Sequence, residues 1–134
     1  MPFRCLMCGK CCLMTEMVLA PSDVRRIEGL GYRVSDFSVL GPDGLLRLRN
    51  VRGRCYFLGD GGRCKIYPHR PLGCRIYPVI VVLDERVVTV DTECPAWRTV
   101  TLSDVLERRP LIERVLRELG LGLTFRDLRV VLPP

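Results

Sequence analysis

A chain of 134 residues fits one domain and leaves little room for a second. A formal charge of +6 keeps nucleic acid open as a partner, although thiolates bound to metal would cancel much of that excess. The longest apolar run, Val79–Leu83, is far too short to cross a bilayer, and no apolar signal stretch follows Met1, so the chain reads as cytoplasmic with no membrane partner. Thiols stay reduced in that compartment, and clustered cysteines there bind metal more often than they pair. Intracellular disulfides of hyperthermophiles are the exception, and the basic residues here are arginines apart from Lys10 and Lys65.

The eight cysteines form an N-terminal block (Cys5, Cys8, Cys11, Cys12) and a dispersed set (Cys55, Cys64, Cys74, Cys94). Cys5-Leu6-Met7-Cys8 and Cys8-Gly9-Lys10-Cys11 are overlapping C-x2-C units, and Cys12 follows at once. Such a loop can curl around one metal and offer it two sulfurs, and a glycine permits the tight turn. Adjacent side chains point to opposite faces of a strand, or about 100° apart on a helix. Cys11 and Cys12 are therefore not expected to share one mononuclear metal. Two sites, a polynuclear cluster, or one sulfur outside the coordination sphere all remain open.

Pro21–Gly29 reads as a short helix, with Ser22 as its cap, Asp23 in the first turn, and Gly29 or Gly31 as its stop. Leu46 and Leu48, with Asn50 as a candidate third, share one side of a strand that turns Arg47 and Arg49 to the other. The β-branched runs Val79–Leu83 and Arg86–Val90 flank Asp84-Glu85 and predict a hairpin. Ser103-Asp104 starts a turn of its own. Ile112, Val115, Leu116 and Leu119 then repeat at helical spacing, with Pro110 in the first turn and Gly120 just past the end. The expected fold is a small single α+β domain with a hairpin, short helices and irregular loops organised around a cysteine-ligated metal centre. Its cysteine core covers about residues 3–95, and a C-terminal helical segment covers about 103–134.

The segments Phe3–Cys12, Cys64-Lys65-Ile66-Tyr67 with Arg70-Pro71, and Cys74-Arg75-Ile76-Tyr77-Pro78 resemble the CxxCxxCC cysteine-cluster family. That family is described as zinc- or iron-chelating and is often labelled an Fe–S-cluster-containing protein. The resemblance runs from about Phe3 to Pro95, and all eight cysteines match the family's set, which implies that all eight are metal ligands. Some relatives are linked to lysine N-methylation of flagellin, an activity that need not belong to this domain alone.

Arg70 and Arg75 are candidates for offsetting thiolate charge or donating hydrogen bonds to sulfur, against a plain surface role. His69, the single histidine, is expected to be a loop residue and not a ligand. Tyr56, Tyr67, Tyr77 and Trp97 each lie within three residues of a cysteine and could shield a centre from water or simply pack. The leading reading is a protein that holds an iron–sulfur cluster or zinc, in electron transfer or metal handling, with a redox or protein partner. An enzyme using the centre for redox or methyl-transfer chemistry is the alternative. It lacks support from a Gly-rich nucleotide loop, an H-E-x-x-H or a C-x3-C-x2-C motif. A zinc-stabilised nucleic-acid module is weaker, because the basic residues are spread along the chain.

Overall fold

A computed structural model describes Cys12, Leu13 and residues 15–134. They form a mixed α+β chain, as the sequence predicts, in two compact units that divide between Leu72 and Gly73.

In the first unit, helix α1 (Pro21–Glu28) forms where expected but is capped differently. Ala20, not Ser22, is the N-cap residue, and Pro21 takes the first helical position, where its missing N–H costs nothing. Asp23 does the capping: its Oδ2 accepts from the Ala20 amide at 2.8 Å. Its Oδ1 accepts from Arg26 Nη2 at 2.7 Å and from the amide of Leu72 at 2.9 Å. The carboxylate is fully buried and serves three donors from two parts of the chain.

After a single turn of helix α2 (Val34–Phe37), strand β1 (Ser38–Leu40) pairs antiparallel with β2 (Leu46–Leu48), with Ser38 opposite Leu48. The predicted strand exists but is interrupted at Arg49. There its amide donates to Phe37 O and its carbonyl accepts from Tyr56, both at 2.8 Å. Arg49 is thus where the chain leaves one partner for the next. Strand β3 (Asn50–Val51) then pairs with β4 (Arg54–Cys55). Phe57 is the buried centre of an aromatic cluster, 5.0 Å from Tyr32, 5.1 Å from Tyr56 and 5.7 Å from Phe37 between ring centroids. Edge-to-face geometry at Tyr32 and Tyr56 sets positive ring edges against negative faces.

Helix α3 (Leu72–Ile76) begins at the last residue of that unit and leads into the second. The predicted hairpin is present as β5 (Val79–Val82) and β6 (Val87–Val90), with Val82 opposite Val87 across the turn Leu83–Arg86. Helix α4 (Leu102–Glu107) starts slightly earlier than Ser103. Thr101 caps it, accepting from Asp104 N at 3.2 Å while its own amide reaches Asp104 Oδ2 at 2.7 Å. Helix α5 (Arg109–Glu118) buries Ile112 and Leu116 and half-buries Val115 and Leu119, the face that periodicity predicts. Gly120 follows at φ 66°, the left-handed position that ends many helices.

Beyond Gly120 the expectation of a helical segment to the C-terminus is corrected. A 3-10 turn at Phe125–Asp127 leads to strand β7 (Arg129–Val130), which lies parallel to β6 with Arg129 opposite Val87. The reason is β6 itself, whose free edge offers Arg86 O to Arg129 N and Val88 O to Val131 N, each at 2.9 Å. Thr124 fixes the turn: its amide and hydroxyl both donate to Asp127, and these bonds hold that carboxyl below its ordinary pKa. Ile76, Val79, Val88, Val105, Ile112, Leu116, Phe125 and Leu128 form the apolar core of this unit. Phe125→Ala is expected to lower stability by about 3–5 kcal/mol, the usual loss for a core aromatic. A urea unfolding curve monitored by circular dichroism measures it.

Candidate metal centre

The candidate ligands Cys5, Cys8 and Cys11 lie outside the described residues. Cys12 is half-buried, and the chain after it is held by a definite strap of hydrogen bonds. Leu13 forms an antiparallel bridge with Arg54, and Val18 forms one with Arg47. Met17 O accepts from Leu48 N at 2.9 Å, and Leu19 N donates to Leu46 O at 2.8 Å. Between these, the side chain of Asn50 takes the place of a ladder partner for Thr15. Its Nδ2 donates to Thr15 O at 2.8 Å, and its Oδ1 accepts from Thr15 N at 3.1 Å. Asn50 faces the strap that follows the cysteine block and does not merely extend an apolar face. The amide both donates and accepts here whereas a carboxylate only accepts, so Asn50→Asp is expected to cost about 1–2 kcal/mol. Thermal melts of the two proteins side by side check that figure.

Leu13 opposite Arg54 puts the neighbour of Cys12 across from the neighbour of Cys55. Cys55 is buried, with Asn50 as its ladder partner. The turn after it closes through Leu58 N to Cys55 O at 2.9 Å, and Leu58 forms a bridge with Cys64. Lys65 N to Phe57 O at 2.7 Å and Gly59 N to Arg63 O at 2.8 Å hold the two sides of this loop together. Backbone pairing in the first unit therefore links the segments that carry Cys12, Cys55 and Cys64.

Cys74 and Cys94 belong to the second unit. Cys74 sits in α3, where Arg108 Nε donates to Ile76 O at 3.2 Å and so places a cation at the helix C-terminus. Buried Cys94 closes a turn that Asp91 builds. Asp91 Oδ1 accepts from Glu93 N at 2.9 Å, and Asp91 O accepts from Cys94 N at 3.2 Å. Tyr77 Oη, three residues after Cys74, donates to Asp91 Oδ2 at 2.7 Å. This link ties the segments of Cys74 and Cys94 together. The Asp-x-x-Cys pattern carried that signal, since aspartate commonly bonds the amide two residues on; sequence reasoning passed over it.

Arg70 lies 3.8 Å over the Tyr67 ring, and its Nε donates to Tyr67 O at 3.0 Å, while Arg75 is exposed on α3. His69 is exposed in the 3-10 turn Tyr67–His69. Tyr56 packs in the aromatic cluster, and the half-buried Trp97 ring has Arg98 at 5.0 Å.

Among the described residues, no three histidine, cysteine or acidic side chains are grouped to hold a metal ion. The donor chemistry nonetheless fits zinc or iron: soft sulfurs on short loops, with the segments of Cys12, Cys55 and Cys64 linked by main-chain pairing and those of Cys74 and Cys94 by the Tyr77–Asp91 bond. Among the described residues no helix is long and apolar enough to cross a membrane. Searches of curated proteins and of solved structures found no match. A family model, CxxCxxCC, described as "Putative zinc- or iron-chelating domain", matches residues 4–95. Those residues take in every cysteine of the sequence, and the chain belongs to the CxxCxxCC family of zinc- or iron-chelating domains.

Proposed function

We propose that Cys5, Cys8, Cys11, Cys12, Cys55, Cys64, Cys74 and Cys94 together hold an iron–sulfur cluster or zinc, and that the protein works in electron transfer or metal handling in the cytoplasm. The observation that carries this reading is the backbone ladder that sets the segment after the N-terminal cysteine block beside the Cys55 hairpin. Two stretches far apart in sequence are thereby paired at the residues next to Cys12 and Cys55, which supports a shared centre. Arg70 and Arg75 would supply positive charge near the thiolates, which offsets their negative sum and tunes a cluster potential.

Anaerobic purification with an absorption spectrum and elemental analysis tests the proposal. Iron with acid-labile sulfide and a broad brown band selects the cluster; a colourless zinc protein selects the structural site. Eight freely alkylated thiols on metal-free protein prepared this way would end the reading. Cys11→Ser and Cys12→Ser are expected to differ in metal content or spectrum, because adjacent side chains diverge. Identical, complete loss in both would show one centre needing both sulfurs. His69→Ala is expected to leave metal content unchanged by elemental analysis, since an exposed loop histidine competes with eight thiols.

A further inference from the structure

The β3–β4 hairpin turns on Arg52 and Gly53, at φ 54° and 76°. Positive φ at both central residues marks the tight two-residue hairpin turn, where asparagine or glycine is favoured because a larger side chain crowds the backbone. Arg86 also has positive φ, but there the conformation serves the sheet, presenting its carbonyl to Arg129 N. At Arg52 an asparagine would suit the turn better. The arginine instead places a guanidinium there at a conformational cost.

An open cavity of about 310 Å³ lies beside this turn, lined by Val51, Arg52, Arg54, Cys55, Tyr56 and Leu58. Small-molecule sites span about 300–1,000 Å³, so the space suits a compact ligand. Among the described residues that line it are two arginines and no carboxylate. Neither Arg52 nor Arg54 forms an ion pair with a described carboxylate, whereas Arg26, Arg47, Arg109 and Arg114 each do. Guanidinium forks match the paired oxygens of phosphate and carboxylate groups. Val51, Leu58 and the Tyr56 ring add apolar surface, which suits a small hydrocarbon body attached to the anionic group.

We propose that this cavity binds a small organic oxyanion, a phosphate or carboxylate carried on a compact apolar body, through Arg52 and Arg54. The cavity shares Cys55 with the proposed metal centre, so the binding test uses metal-loaded chain. Calorimetric titration of the full metal-loaded chain at low ionic strength, with phenyl phosphate, inorganic phosphate and succinate as probes, tests it. Saturable binding at one site is expected, with phenyl phosphate tighter than inorganic phosphate. Succinate binding separates a carboxylate preference from a phosphate one. Arg52→Asn is expected to melt at or above the parent temperature, because asparagine accepts positive φ, and yet to weaken binding about ten-fold or more. Arg54→Gln should weaken it similarly, while Arg126→Gln, an exposed arginine of the second unit, should leave it unchanged. The proposal is overturned if no probe binds saturably, or if Arg52→Asn and Arg54→Gln bind as the parent does. An equal loss in Arg126→Gln would overturn it too, by showing general charge attraction.

Discussion

Stripping the metal is expected to abolish cooperative thermal unfolding. A domain of this size is stable by about 5–15 kcal/mol, and a structural zinc site contributes about 10–16 kcal/mol at neutral pH. The two ranges overlap, so loss of the metal can remove the whole margin. In the first unit the ladders are only two or three residues long, and short strands have little stability of their own. The second unit has a continuous apolar core from Ile76 to Leu128 and should keep more residual structure. Circular dichroism melts of loaded and chelator-treated protein, with hydrogen exchange to locate the loss, measure this. If reduced, monomeric, metal-free protein melted as sharply at the same temperature, the centre would be a passenger on an independent fold.

Asp23→Ala should produce the second large effect, a loss of about 3–5 kcal/mol. The carboxylate is fully buried, so no water replaces it for the amides of Ala20 and Leu72. Its partner Arg26 is 28% exposed and can turn to solvent, and its Nη2 also donates to Arg70 O at 2.9 Å. Most of the cost therefore falls on the two stranded amides. Asp23→Asn keeps one acceptor but turns an N–H₂ toward donors, so an intermediate loss is expected. Urea midpoints decide the matter, and a change under about 1 kcal/mol for the alanine variant would show that these amides find other acceptors.

Asp23 also shows how far the sequence could be read. Its place in the first turn of α1 was legible, because turn chemistry is local. Its bond to Leu72, 49 residues away, was not, because no local pattern names a distant partner. The β5–β6 hairpin and the buried face of α5 were legible for the same local reason: β-branched runs around a turn, and apolar residues at helical period. Strand β7 was missed, since two residues cannot display an alternation and its pairing depends on the open edge of β6. At the site, C-x2-C spacing and the family resemblance marked the cysteines. The ladder between Leu13 and Arg54 and the clamp of Asn50 on Thr15 join residues far apart in sequence and were not legible, whereas the Asp91 turn under Cys94 is local and could have been read from Asp-x-x-Cys. Cysteine spacing shows which atoms can ligate, and nothing about the segments that carry them together.

The parallel pairing of β6 with β7 sets a clock on synthesis. The β5–β6 hairpin needs only neighbouring residues and can close within about 1–10 μs of emerging. Its second partner, Arg129–Val130, is about forty residues downstream and, at about 5–20 residues per second, follows seconds later. For that interval the edge of Val87-Val88-Thr89-Val90 stands open, β-branched and uncharged, as a template that another nascent chain could join. Crowded polysomes, slow codons between Val90 and Arg129, or truncation before Arg129 should therefore favour aggregation through this edge, and chaperone occupancy should peak there.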